Sequence, residues 1–123
     1  MLIIEDEMLI AVSVEQVAQE LGARTTRVLR AHEAMELADR CAHLPDVCVV
    51  DYRSTNDEKR RIAQFVRGSP CKLILMTTDS QLEEDDLFSS ADAILQKPFG
   101  DEEVCLAFQN ALKGPSNSKQ VPT

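Results

Sequence analysis

The run Val47-Cys48-Val49-Val50-Asp51 sets four apolar residues in a row and closes them with a carboxylate. A strand that is apolar on both of its faces is covered on both, the condition of a parallel sheet wrapped by helices. The closing charge would be costly to bury without a partner, so Asp51 is the first residue to which chemistry is assigned. Four more short runs rich in β-branched residues recur along the chain, at Leu2 to Ile4, Thr26 to Leu29, Leu73 to Met76 and Ala93 to Leu95. Of the five, three lack alternation. Helical patterns stand between them, and strand-helix alternation repeated five times predicts an α/β domain.

The helical signals differ in strength. Ile10, Val14, Val17 and Leu21 fall on one stripe, with Gly22 as the stop. Leu37, Cys41 and Leu44 form a second stripe that Pro45 should end. The third helix, about Glu58 to Arg67, sets Ile62, Phe65 and Val66 against Lys59, Arg60, Arg61 and Arg67, which reads as a solvated basic face. The fourth, around Leu82 to Ser90, is weak, with four consecutive acids and only Leu87 and Phe88 expected in the core. Asp101 is expected to cap the fifth, which carries Val104, Phe108, Ala111 and Leu112 and should run to about Lys113. Residues 1–113 thus form one domain, and 114–123, with two prolines and little to bury, read as a disordered tail or linker stub.

Composition excludes several function classes. The 13 basic residues against 21 acidic ones give a formal charge of −8, which would repel a nucleic-acid backbone over most of the surface. No run approaches the ~18 apolar residues of a membrane span, and no secretion signal opens the chain, so a cytoplasmic location is expected. The four cysteines lack metal or redox spacing and read as free thiols.

In an open parallel sheet, functional groups gather outside the carboxyl ends of the strands. The first strand ends in Glu5, Asp6 and Glu7, the third in Asp51, the fourth in Thr77 and Thr78, and the fifth in Gln96, Lys97 and Pro98. With strand order 2-1-3-4-5, Glu5, Asp6 and Asp51 converge at the centre. Their mutual repulsion would be relieved by a hard divalent cation such as Mg²⁺, which takes a few protein oxygens and keeps water or phosphate oxygens in its octahedron. Lys97 and Thr77 would face that phosphate from the other side.

The segments Leu2 to Glu7, Val49 to Asp51, Leu73 to Thr77 and Gln96 to Phe99, each at the end of its own strand, together resemble the receiver domain of two-component response regulators. The resemblance spans roughly residues 1–113. It implies a doubly wound, flavodoxin-like sheet of five parallel strands with helices on both faces. Asp51 is then the phosphoacceptor, and Glu5, Asp6, Asp51 and the Arg53 main-chain carbonyl hold Mg²⁺. Thr77 and Lys97 contact the phosphoryl oxygens, and the peptide between Lys97 and Pro98 is cis. The donor is a histidine kinase or phosphotransfer protein, and the chain is a signalling module rather than an enzyme that turns over a substrate. Output is expected through the face of the fourth helix, fifth strand and fifth helix, which could also join two copies.

Several residues depart from that pattern. Ile94 stands where a switching aromatic is usual, Thr78 is bulkier than the common alanine, and Tyr52 to Asp57 lacks the usual proline and glycine. These departures favour the alternative of a degenerate receiver that binds protein without phosphorylation. A hydrolase on the same architecture is disfavoured, because Arg53 stands where a second Asp would be needed. Arg53 and Asp79 are expected to pair across the site mouth as a lid.

Overall fold

A computed structural model describes the backbone of residues 1–78 and 86–120, with side chains to residue 113. The elements run β1 (Leu2–Ile4), α1 (Met8–Glu20), β2 (Arg27–Leu29), α2 (Ala31–Asp39), β3 (Val47–Asp51), α3 (Asp57–Arg67), β4 (Lys72–Thr77), α4 (Asp86–Ser90), β5 (Ala93–Gln96) and α5 (Asp101–Gln120). The five strands are parallel, in the expected order β2-β1-β3-β4-β5.

The apolar run of β3 is divided between two cores. Cys48 and Val50 join Ile4, Leu29, Leu75, Ile62 and Val66 beneath α2 and α3, while Val47 and Val49 join Ile3, Ile74, Leu95 and Phe108 beneath α1 and α5. Successive side chains point to opposite faces, so a strand covered on both must be apolar at every position. Tyr52, just past the end of this strand, is fully buried, its ring edge-on to Phe88 at 5.2 Å.

The helices depart from their apolar stripes in instructive ways. In α1 the buried residues are Ala11, Val14, Val17 and Ala18, and Leu21 is half exposed at the C-cap. Small residues let α1 approach the sheet closely, and the leucine falls past the last turn. Gly22 has φ of 102°, and bonds from Gly22 N–H to Gln19 and from Ala23 N–H to Ala18 close the end as a Schellman turn. The same pair of bonds ends α2 at Asp39, from Cys41 N–H to Ala38 and from Ala42 N–H to Leu37. Cys41 takes φ of 49° and is exposed, so the stripe expected to reach Leu44 stops well before Pro45.

In α5, Asp101 is the first helical residue rather than the cap, and the Glu103 carboxylate instead accepts the Gly100 N–H at 3.0 Å. Ala107 is buried, whereas Leu112, expected in the core, is exposed. The helix runs on to Gln120, past the expected end at Lys113. Of the fourth helical pattern only Asp86–Ser90 lies within the described residues, with Leu87 and Phe88 buried as expected. No helix among the described residues is long and apolar enough to cross a membrane.

Candidate functional site

The strand register places the site. Ile4 pairs with Val50 and Asp51 with Met76, so the residues that follow β1, β3 and β4 emerge side by side at one edge of the sheet. Glu5 continues β1 by donating its N–H to the Leu29 carbonyl at 3.0 Å. Lys97 continues β5 by donating its N–H to the Thr77 carbonyl at 2.7 Å, and its peptide to Pro98 is cis, as expected.

Three expected residues meet here. Lys97 Nζ lies 2.7 Å from Glu5 Oε1 and 3.0 Å from Asp51 Oδ1, so one ammonium bridges two carboxylates carried by different strands. Glu5 is only 1% exposed, its Oε2 accepts the Glu7 N–H at 3.2 Å, and its Oε1 faces Lys97 outside hydrogen-bonding alignment. Thr77 is fully buried at the end of β4 beside them.

Asp6 does something different. Its Oδ1 accepts the Ala31 N–H at 2.9 Å, at the first residue of α2, while Glu33 accepts the Arg30 N–H at 2.9 Å one residue earlier. Helix N-termini leave such donors unmatched, so Asp6 ties β1 to the start of α2. Asp6 still lines one small recess together with Glu5, Asp51 and Lys59. Among the described residues, however, no three His, Cys, Asp or Glu side chains gather closely enough to hold a metal ion. Arg53 is exposed, and its carbonyl accepts the Asn56 N–H at 3.1 Å in the turn before α3. Asp79, the other half of the expected lid, lies outside the described residues.

Lys59 is the site residue that the sequence reading assigned to solvent. Its Nζ lies 2.7 Å from Asp51 Oδ2, with 18% of the side chain exposed. Asn56 caps α3 by accepting the Lys59 N–H at 3.0 Å, which fixes the lysine in the first turn. Its neighbour Arg60 also turns inward and donates to the Tyr52 hydroxyl at 3.0 Å. One signal for Lys59 was present in the sequence. A cation in the first turn opposes the helix dipole, whereas Asp57 and Glu58 suit it, so a lysine there calls for an outside carboxylate.

The ionisations follow from this packing. Burial pushes the Asp51 carboxyl upward, but the bonds from Lys59 and Lys97 outweigh it and hold Asp51 below the usual carboxylate range. For Glu5 burial prevails over the nearby Lys97 ammonium, and the Asp51 charge adds to it, so its carboxyl is raised. Lys97 is raised despite its burial, because Glu5 and Asp51 stabilise its charged form. Asp51 is thus held as a carboxylate with an ammonium on each oxygen. A roomier hollow, lined by Met1, Leu21, Pro45, Phe108 and Leu112 among others, opens at the amino ends of the strands, and none of these charged groups reaches it.

No protein-family model matches the sequence, and neither does any curated protein. Solved structures do match. The chemotaxis response regulator CheY4 of Vibrio cholerae superposes with a TM-score of 0.70 at 20% identity, over 89% of this chain and 95% of that one. A CheY-like response regulator receiver domain protein from Methanospirillum hungatei JF-1 gives 0.69 at 20% identity, over 97% and 95%. The response regulator PhyR from Brucella abortus gives 0.70 at 22% identity, over 98% of this chain and 50% of that one.

Proposed function

From the receiver-domain fold that the chain shares with these regulators, we propose that it accepts a phosphoryl group on Asp51 from a phosphohistidine of a histidine kinase or phosphotransfer protein. The observation that carries the reading is the pairing of Lys97 with Asp51 at 3.0 Å across two strands, beside buried Thr77 and Glu5. An ionised carboxylate at a strand end can attack phosphorus in line, and phosphoryl transfer needs little from the protein beyond positioning and charge. Lys97 would follow the phosphoryl oxygens as their charge develops, and the Thr77 hydroxyl would supply a further contact. The domain acts on itself and turns over no separate substrate.

Mg²⁺ fits the chemistry of the donors, which are hard oxygens on Glu5, Asp6, Asp51 and the Arg53 carbonyl. Glu5 Oε1, buried without an aligned hydrogen bond, already has the Lys97 ammonium at 2.7 Å, so the oxygens of Asp6 and Asp51 would carry the ion alongside it. When bound, the ion would neutralise charge on the transferring group. The signal would be a shift between two populations, read at the face of α4, β5 and α5 by a partner or by a second copy of the chain, in the cytoplasm where such kinases act. Ile94, half-buried on β5, replaces an aromatic rotor and makes packing of the α4 surface the expected route.

A degenerate receiver that binds protein without phosphorylation is the second reading, and the Lys59 pairing favours it, because both oxygens of Asp51 are already engaged. The two part in one experiment. The chain is incubated with Mg²⁺ and acetyl phosphate, and its intact mass is measured beside that of Asp51→Asn. A gain of one phosphoryl group in the wild type alone supports acceptance on Asp51, and no gain leaves the degenerate reading.

A further inference from the structure

Lys59 stands on Asp51 Oδ2 at 2.7 Å, in the same recess as Glu5 and Asp6. Counted as residues, the carboxylates of Glu5, Asp6 and Asp51 stand against the ammonium groups of Lys59 and Lys97, leaving one net negative charge where Lys97 alone would leave two. A divalent cation would neutralise the larger charge, but added to the smaller one it leaves the site positive. The position of Lys59 is not incidental to its helix. Its N–H is held by the Asn56 cap, and its charge opposes the dipole of the turn that carries it, so the Asp51 carboxylate is what retains it.

We propose that Lys59 is a built-in counter-cation of the acceptor carboxylate, and that its ammonium and Mg²⁺ compete for Asp51. The inference rests on the reading of Asp51, Glu5 and Asp6 as a phosphoacceptor and cation site. With Lys59 docked, Asp51 is neutralised on both oxygens and the domain is closed to the metal. With Lys59 withdrawn toward solvent, which its long stem allows while the backbone stays capped, Oδ2 is released. Metal uptake is thereby coupled to the conformation of one side chain on α3, and a partner contacting the exposed side of α3 could set it. Such coupling is reciprocal: whatever holds Lys59 outward raises cation affinity, and a bound cation favours the outward lysine.

The test is calorimetric titration of Mg²⁺ into the full chain and into Lys59→Met, Lys59→Gln and Lys59→Arg, with Asp51→Asn marking heat that does not come from this site. Lys59→Met and Lys59→Gln remove the charge by different side chains, so one of them suffices if the other fails to fold by circular dichroism. The neutral variants are expected to bind Mg²⁺ on the order of ten-fold more tightly than the wild type, with Lys59→Arg close to it. Affinities that do not differ between the neutral variants and the wild type overturn the proposal, as does absence of binding in all of them. Acetyl phosphate labelling is read on the same samples. Labelling without a difference in Mg²⁺ affinity overturns the role of Lys59 and leaves the acceptor reading standing. Tighter binding in the neutral variants without labelling supports the role of Lys59 and removes acceptance on Asp51.

Discussion

Replacing Lys97 by Met keeps the length of the side chain and removes the ammonium that joins Glu5 to Asp51. Two ion pairs are lost, at 2.7 and 3.0 Å, but their consequences are unequal. Asp51 keeps Lys59, whereas Glu5, 1% exposed, retains only the Glu7 N–H. Removing one partner of a buried pair costs about 3–5 kcal/mol, and since the lysine is 12% exposed and only one carboxylate is stranded, about 3 kcal/mol is expected. That lies within the ~5–15 kcal/mol that holds an ordinary domain together, so the variant should still fold. With a urea slope of about 2 kcal/mol per M, the midpoint should fall by about 1.5 M, followed by far-UV circular dichroism in EDTA.

The loss should depend on pH in a stated direction. Burial raises Glu5 in the folded protein, and the ammonium that opposes this rise is gone in the variant. A carboxyl raised on folding destabilises at pH above its folded value, and the penalty fades as pH falls through that value. The gap between variant and wild type should therefore narrow from pH 7 to pH 5. On the alkaline side Lys97 is itself raised on folding, so its contribution is complete below the unfolded value of about 10.4 and is lost only as pH rises through the folded one. A loss below about 0.5 kcal/mol at pH 7, or a gap that does not shrink on acidification, would refute the bridging role of Lys97.

Two further outcomes follow from the local geometry. Asp6→Ala, in EDTA, should lower stability by about 1 kcal/mol because the Ala31 N–H loses its acceptor, while Asp6→Asn, which keeps a carbonyl oxygen there, should lose a few tenths; equal urea midpoints for the two would show that the contact contributes nothing. Cys41→Gly should stabilise by about 0.5–1 kcal/mol, since Cys41 holds φ of 49° without the freedom of glycine, and an unchanged or lower thermal midpoint would speak against strain at that turn.

The fold was legible because its signal is one-dimensional. A strand covered on both faces must be apolar throughout, and β3 and β4 carry that condition openly; Gly22, with its positive φ, marks the end of α1 as clearly. The candidate site was legible in part for the same reason, because strand ends in a parallel sheet converge whatever the side chains do, and Glu5, Asp51, Thr77 and Lys97 all stand at such ends. Helix faces were harder to read. Ala11, Ala18 and Ala107 are buried while Leu21 and Leu112, expected in the core, are exposed, because close approach of a helix favours the smaller side chain and hydrophobicity alone does not report it.

What the sequence by itself determined was the order of elements, the parallel sheet and the edge at which its charged residues collect, since each of these follows from periodicity along the chain. The tertiary structure alone decided how those charges are paired. Whether Lys59 faces solvent or Asp51, and whether Asp6 turns toward a cation or caps α2, depends on how α2 and α3 are set against the sheet. Charge pairing falls off over a few ångströms, whereas the pattern along a helix fixes a direction only to within a turn.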